Sequence, residues 1–278
     1  MEEAIKKMIQ EMQLRGLSQG TQINYISRVK ILQRFYEKPA EELGEVEIRN
    51  FLQHLIVKEK QSASSVNVFN SALKFLYKTT LKMDWDSEKI PRQKKAKKLP
   101  TVLSHQEVEA LFDGTNNLKH KCILMTAYGS GLRVSEVTRL KISDIDSKNM
   151  SIFVRQGKGK KDRYAVLSHR NLELLREYWI KYHPSDWLFE GSGKGSHISS
   201  GSVQSIIHTA AAKAGIKKLV TVHTLQHSFA THLLESNVSL FYIKQLLGHT
   251  DIKTTAIYLH MVNINAFNLK SPLDSTQG

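Results

Sequence analysis

The chain has 278 residues and a mass of 31.7 kDa, enough for one large domain or two smaller ones, and it can bury a core without staples. Its one cysteine, Cys122, excludes an intramolecular disulfide framework and a cysteine-built zinc site. Lys+Arg 40 against Asp+Glu 26 leaves a net charge of +14, which points to a polyanionic partner, nucleic acid first. The surplus is even, +7 in residues 1–100 and +7 in residues 101–278, so it is not a basic tail on an acidic body. No apolar run approaches the ~18 residues of a membrane span, and the acidic start Met1-Glu2-Glu3 does not read as a signal peptide, so a cytoplasmic protein is expected.

The first 83 residues read as helix throughout. Ile5, Met8, Ile9 and Met12 recur at helical spacing up to Gly16. A second helix carries Ile23, Ile26, Ile31, Leu32 and Phe35 on its apolar face and stops at Pro39. A third spans Val46 to Val57, and a fourth runs from about Ser62 to Leu81 with Val66, Phe69, Leu73, Leu76 and Tyr77 inward. The composition then shifts. Residues 89–98 hold six basic side chains and no acidic one, next to Pro91 and Pro100, and read as an interdomain linker able to lie along a phosphate backbone. Domains are accordingly expected at 1–88 and 101–278, with 89–100 as the basic linker.

From Thr101 the pattern is mixed. Ser104-His-Gln-Glu107 is a capping box that opens a helix, and another spans about 118–128. Residues 152–154 and 163–167 read as two strands around Gly157-Lys-Gly-Lys-Lys161. Helices are expected near 171–182, 202–214, 224–235, 240–247 and 252–259. This half is α+β, a small sheet buttressed by helices.

Several polar motifs interrupt its apolar pattern. Gly129-Ser-Gly-Leu-Arg-Val-Ser-Glu136 places Arg133 at a helix start after a glycine turn, where free N–H groups and a forked donor favour an anion. Gly157-Lys-Gly159 sets Lys158 at the tip of a turn. His223-Thr-Leu-Gln-His227 puts His223, Gln226 and His227 on one helical face. Leu247-Gly-His-Thr250 exposes His249 at a helix break, and nine residues later Tyr258 ends a helix capped by Thr250 or Asp251. The pair His223/His227 has neither the glutamate nor the third ligand that a zinc site would need. Gly191-Ser-Gly-Lys-Gly-Ser196 lacks phosphate-loop spacing and reads as a connection.

In this order, Gly-Leu-Arg-x-Ser-Glu, Gly-Lys-Gly, His-x-Leu-x-His-Ser-Phe-Ala-Thr-His-Leu-Leu, Leu-Leu-Gly-His and a tyrosine nine residues on, the chain resembles the tyrosine recombinase (phage integrase) family. Within it the chain is most similar to Xer-like recombinases and mobile-element integrases. The resemblance implies an N-terminal all-α, SAM-like core-binding domain plus an α+β catalytic domain. It implies that Tyr258 attacks a DNA phosphate to give a 3′-phosphotyrosyl link, conserving the bond energy for rejoining. Arg133 and His249 would stabilise the transition-state charge, Lys158 would protonate the leaving 5′-oxygen, with Lys160 and Lys161 as weaker candidates, and His223 would assist proton transfer or orient the phosphate. Glu136 would support the site. No cofactor or metal is implied. The partners implied are a double-stranded recombination site and a homo-tetramer on two duplexes, or a second, different recombinase. The apolar residues Met261, Val262, Ile264, Phe267 and Leu269 suggest a tail from about 262 that docks on a neighbouring copy.

One position departs from the family's His-x-Leu-Arg-His. Gln226 stands where the second arginine belongs, and glutamine keeps a donor but loses the charge and the planar fork. It reads as an arginine-to-glutamine change, engineered or natural, that cripples cleavage and spares DNA binding. Two other readings stay open from sequence: a regulatory DNA-binding protein that kept the clamp, and a type IB topoisomerase-like enzyme.

Overall fold

The computed structural model describes residues 2–94, 96, 99–155, 162–193 and 195–262. The chain divides into two compact units, Met1–Lys97 and Lys98–Gly278.

The first unit is helical: α1 (Glu2–Leu14), α2 (Gln19–Tyr36), α3 (Glu45–Val57) and α4 (Ala63–Lys74), the last continuing as a π-helical turn over Phe75–Thr80. Local chemistry sets the starts. The hydroxyls of Ser18 and Ser62 accept the N–H groups of Thr21 and Ser65, which would otherwise lack partners. Before α3, where Gly44 has no side chain to cap with, the Glu47 carboxylate accepts the Gly44 N–H at 2.9 Å. Met8 and Met12, Val29 and Leu32, Phe51 and Leu55, and Phe69, Leu73, Leu76 and Tyr77 fill the core. The inward face expected for the fourth helix is thus the one observed. That of the second holds in its middle, where Leu32 is buried and Ile26 and Ile31 pack on the core, but not at its ends, where Ile23 and Phe35 are 61% and 43% exposed. Val29 and Gln33 join Leu32 in the buried stripe, and Phe35 lies edge-on against Tyr36 and Phe51 at the rim.

The basic segment after Lys89 begins as part of this helical unit. Ile90 is buried in the core. Asn70 donates to the Ile90 carbonyl at 3.2 Å, and Asn67 both donates to the Gln93 carbonyl and accepts the Gln93 N–H, each at 2.9 Å. An asparagine side chain reproduces here the pairing of a strand, which is why two polar residues are buried on α4. Asn67→Ala is expected to cost about 1–3 kcal/mol in urea unfolding and to speed amide exchange at Gln93, because it removes both partners of that peptide unit.

The second unit contains α5 (His105–Asp113), α6 (Leu118–Gly129), α7 (Val134–Thr138), β1 (Ile145–Asp146), β2 (Ser151–Val154), β3 (Arg163–Val166), α8 (His169–Tyr182), α9 (Ser200–Lys213), α10 (Val222–Glu235), α11 (Leu240–Leu247) and α12 (Ile252–Ala256), with a 3-10 turn over Ile257–His260. The capping box at Ser104 and Glu107 forms as expected. The strands make an antiparallel sheet in the order β1-β2-β3, with Ile152 paired to Ile145 on one side and Ala165 on the other. Ile152, Val154 and Ala165 face the core, while Tyr164 and Val166 face solvent. The two-residue β1 is too short to leave a periodic signal, and the sequence reading did not contain it.

Two helices form the spine. Residues 122–127 of α6 are all buried, as is most of α10. A helix apolar all round can only sit inside, and α6 packs against both α8 and α10. The C-terminal helix is shorter than expected, since α-geometry ends at Ala256 and the tighter turn carries Tyr258. Among the described residues no helix is long and apolar enough to cross a membrane.

Candidate active site

The site begins at a glycine. α6 ends in Ser130-Gly131, and Gly131 holds a left-handed φ of +59°. A Cβ there would lie 2.5 Å from Cδ1 of Phe229, so only glycine lets the turn settle on α10. The chain re-enters helix at α7 with Arg133 in the N-cap position, where its N–H would lack a helical partner. Oε2 of Glu136 accepts that N–H at 2.8 Å, and Oε1 accepts the Arg133 guanidinium at 2.9 Å. The second arm of the guanidinium donates to the Leu247 carbonyl at 2.9 Å, at the C-terminal end of α11.

A second arginine meets the same carboxylate. Arg163, opening β3, donates to Oε2 of Glu136 at 3.0 Å and through Nε to the Leu246 carbonyl at 2.8 Å. The α11 carbonyl end carries partial negative charge, which suits both cations. Side-chain exposure is only 9% for Arg163 and 4% for Glu136. Desolvation pulls the Arg163 guanidinium below its ordinary proton affinity, with Glu136 opposing. One of its terminal nitrogens is buried with no hydrogen-bond partner.

Past α11, Gly248 closes the helix at φ +62°. A Cβ on it would stand 3.0 Å from Cδ of Arg163. This turn delivers His249, whose Nδ1 lies 2.9 Å from the hydroxyl of the fully buried Thr255. His249 is half-buried, not exposed as the helix break suggested, because its ring turns inward to α12. Asp251, one of the two expected caps, starts α12 by accepting the Lys253 N–H. Three residues beyond Thr255, Tyr258 is 1% exposed, and its hydroxyl is 3.1 Å from Nδ1 of His227. Burial pushes the Tyr258 phenol up to about 12, and the charge of Arg133 pulls the other way. His227 is driven down to about 4 by desolvation first and by His223 second. Both partners are therefore neutral near pH 7.

Gln226 is buried, and its Nε2 donates to the Gly131 carbonyl at 2.7 Å. Its amide therefore ties α10 to the glycine turn that precedes Arg133. Arg133, Gln226, His249 and Tyr258 are thus linked through shared neighbours. His223 stands differently: it is exposed at the start of α10, its ring centre 6.4 Å from that of His227. Lys158, Lys160 and Lys161 lie outside the described residues.

Two residues the sequence reading gave no role in the chemistry lie within the cluster. His227 appeared on the helical face of His223 and Gln226, in the family motif and as half of a zinc pair, and Arg163 only as a strand residue. The contact of His227 with Tyr258 spans 31 positions and that of Arg163 with Glu136 spans 27, so no local pattern signals either. Beside the arginines, Arg163, Lys244, Gly248, His249 and Thr250 line a cavity of about 330 Å³, with Asp162 at its edge.

Among the described residues one group of three donors could converge on a metal, namely His105, His232 and Glu235. Its geometry argues against that use. The two imidazoles stack face to face at 3.7 Å and 19°, which sets their lone pairs side by side, and Nδ1 of His232 already meets the Tyr128 hydroxyl at 2.7 Å. The Gly191–Ser196 connection turns its N–H groups inward, as Gly191 donates to the Ser196 carbonyl and Ser196 to that of Gly193.

Glu136→Gln keeps the shape but leaves two buried guanidinium groups facing one another without an anion. It is expected to cost about 3–5 kcal/mol in chemical denaturation. Glu136→Asp is expected to cost less.

Comparison with known proteins places this geometry. Residues 101–263 match the Phage integrase family, and residues 5–87 match the Phage integrase, N-terminal SAM-like domain. The protein y4qK of Sinorhizobium fredii is 39% identical over 270 residues, covering 97% of this chain and 88% of its own length. Tyrosine recombinase XerA of Pyrococcus horikoshii is 37% identical over 204 residues, 72% of this chain and 70% of its own. A lambda integrase tetramer bound to a Holliday junction shares the fold at a TM-score of 0.74 and 20% identity, covering 92% of this chain and 76% of that one.

Proposed function

The chain belongs to the phage integrase family, and from that premise we propose that it is a tyrosine-type site-specific DNA recombinase whose nucleophile is Tyr258 and whose cleavage is braked by Gln226. The observation that carries the reading is the placement of Tyr258: its hydroxyl meets a neutral imidazole and lies in the field of Arg133. An isolated surface tyrosine has neither.

Oη of Tyr258 attacks the scissile phosphorus as the bond to the 5′-oxygen breaks, leaving a 3′-phosphotyrosyl ester and a free 5′-hydroxyl. The ester keeps the energy of the broken bond, so rejoining to another strand needs no nucleotide. Arg133, fixed at three points by Glu136 and Leu247, presents a pre-oriented fork to the phosphate oxygens. His249, aligned by Thr255, supplies the second donor. Lys158 protonates the leaving oxygen. The cationic wall beside Arg163 and Lys244 takes an adjoining stretch of backbone.

In the family's pattern an arginine occupies position 226. Gln226 instead turns its amide to the Gly131 carbonyl, so one charged donor is missing from the developing charge. Loss of one such donor costs about 10²–10³ in rate. The test uses duplexes selected by binding from a random-sequence pool and then nicked to trap cleavage. The Gln226→Arg protein is expected to form a covalent adduct about 10²–10³-fold faster than the chain as it stands, and the adduct should vanish when Tyr258→Phe is added. DNA bound by every version with no adduct from any would overturn the reading and leave a regulatory DNA-binding protein.

Met261 and Val262, expected in the docking tail, instead pack into the chain's own apolar cluster around Tyr258; the apolar spacing of Ile264, Phe267 and Leu269, outside the described residues, supports a tail that docks on a neighbouring copy, so that four copies join two duplex sites. Truncation after Val262 is expected to abolish cooperative assembly on paired half-sites in gel-shift and sedimentation measurements. Binding to a single half-site should change little.

A further inference from the structure

We propose that His227, and not His223, is the group that takes the proton of Tyr258 as the strand is cut and returns it as the strand is rejoined. The inference rests on the recombinase reading and adds a catalytic residue to it.

The argument is geometric first. Nδ1 of His227 is 3.1 Å from the Tyr258 oxygen, with the rings 5.7 Å apart and tilted by 53°. His223, which spacing alone favours, is exposed one helical turn earlier on α10 and is not the ring that meets the hydroxyl. Position does the rest. His227 projects from a helix whose neighbouring residues Leu225, Gln226, Ser228 and Phe229 are all buried, so its backbone is held fast. The contact spans α10 and the 3-10 turn, two elements joined by the small apolar cluster of Phe229, Ile243, Leu247 and Tyr258 itself. A proton acceptor for this nucleophile lies within about 2.6–3.2 Å of it or reaches it through one water, and His227 meets the direct criterion.

The electrostatics explain why transfer waits for DNA. At rest the imidazole sits near 4 and the phenol near 12, so the proton stays on oxygen. The groups facing the pair are His223 and Arg133, both basic. An anionic phosphodiester entering beside them favours the imidazolium, and a phenolic oxygen that is bonding to phosphorus loses its hold on hydrogen. Proton transfer is therefore coupled to formation of the O–P bond. The step balances: Oη–H breaks, Oη–P forms, the P–O5′ pair leaves with a proton from Lys158, and the Tyr258 proton rests on Nδ1 of His227 until the reverse reaction.

The first measurement is nitrogen-15 histidine NMR of the full chain without DNA. The expected result is that Nδ1 of His227 is unprotonated and that its shift moves on Tyr258→Phe. A protonated Nδ1, or one indifferent to Tyr258→Phe, would overturn the proposal whether or not the chain cuts DNA. The second follows adduct formation in the Gln226→Arg protein. His227→Ala and His227→Gln are both expected to slow it by about 10²–10⁴-fold with DNA binding intact, and added imidazole should restore part of the rate to the alanine variant. A substrate with sulfur at the bridging 5′ position, whose leaving group needs no acid, should relieve Lys158→Ala but neither His227 variant. Full activity of His227→Gln, which can align the hydroxyl but cannot take its proton, would reduce the residue to positioning and overturn the assignment. So would relief of the His227 variants by the sulfur substrate. If the Gln226→Arg protein with His227 intact forms no adduct at all, the recombinase reading itself falls and takes the proposal with it.

Discussion

Glu136 accepts a backbone N–H and two guanidinium groups in a place almost closed to water. A buried arginine is costly unless an anion and hydrogen bonds replace its hydration. Here one carboxylate serves two arginines that come from the start of α7 and from β3, and the carbonyl end of α11 receives one further nitrogen of each. Three elements distant in sequence are thereby fixed to one point. The two glycines of the site follow from that constraint. Gly131 lets the turn before Arg133 reach α10, and Gly248 lets α11 end against the Arg163 side chain. The surrounding apolar cluster sets how tightly the elements pack, and the charge cluster sets where they meet.

The same arrangement divides the labour between charge and proton chemistry. Around Glu136 the carboxylate and the two guanidinium groups are held still by their mutual hydrogen bonds, as electrostatic stabilisation of a developing anion requires, since donors that need not reorganise lose nothing at the moment of reaction. Around Tyr258 the groups are neutral. His227 is half-buried and the phenol fully so, and their affinities for the proton are pushed apart by desolvation. His249 bridges the two regions, leaving the α11 end that holds both arginines and bonding to Thr255 on α12, just before the turn that carries Tyr258. A tyrosine that is 1% exposed is also protected from chance reaction.

Much of this was legible in the sequence, and the exceptions have physical causes. Arg133, His249 and Tyr258 were readable because each follows a local device, a glycine turn, a left-handed cap or a capped short helix, that leaves a mark within a few residues. The fourth helix was readable because its inward face obeys a single period. The second was readable only in its middle: Ile23 and Phe35 satisfy the period of an amphipathic helix as Leu32 does, yet the tertiary core keeps Leu32, adds Val29 and Gln33, and leaves the two ends exposed. Asn67 and Asn70 gave no signal because a buried asparagine declares itself only through the peptide it pairs with, more than twenty positions away. His227 and Arg163 share that character. Both are placed by long-range contacts, His227 to Tyr258 and Arg163 to Glu136 and Leu246, and one-dimensional spacing holds no trace of them.

The proposed brake at Gln226 would separate binding from cutting in this chain. Affinity for a polyanion draws on many exposed cations, and the +14 surplus is spread evenly over both halves, so a single neutral side chain removes little of it. Cleavage draws on a few buried donors aimed at one phosphorus, where each counts for orders of magnitude. At position 226 the glutamine is not left unsatisfied. It hydrogen-bonds to Gly131 and helps hold the turn that orients Arg133, so the fold has no reason to reject it. A substitution that costs the scaffold nothing, spares the distributed charge and removes one focused charge is the kind that would yield a protein gripping its site without efficiently opening it.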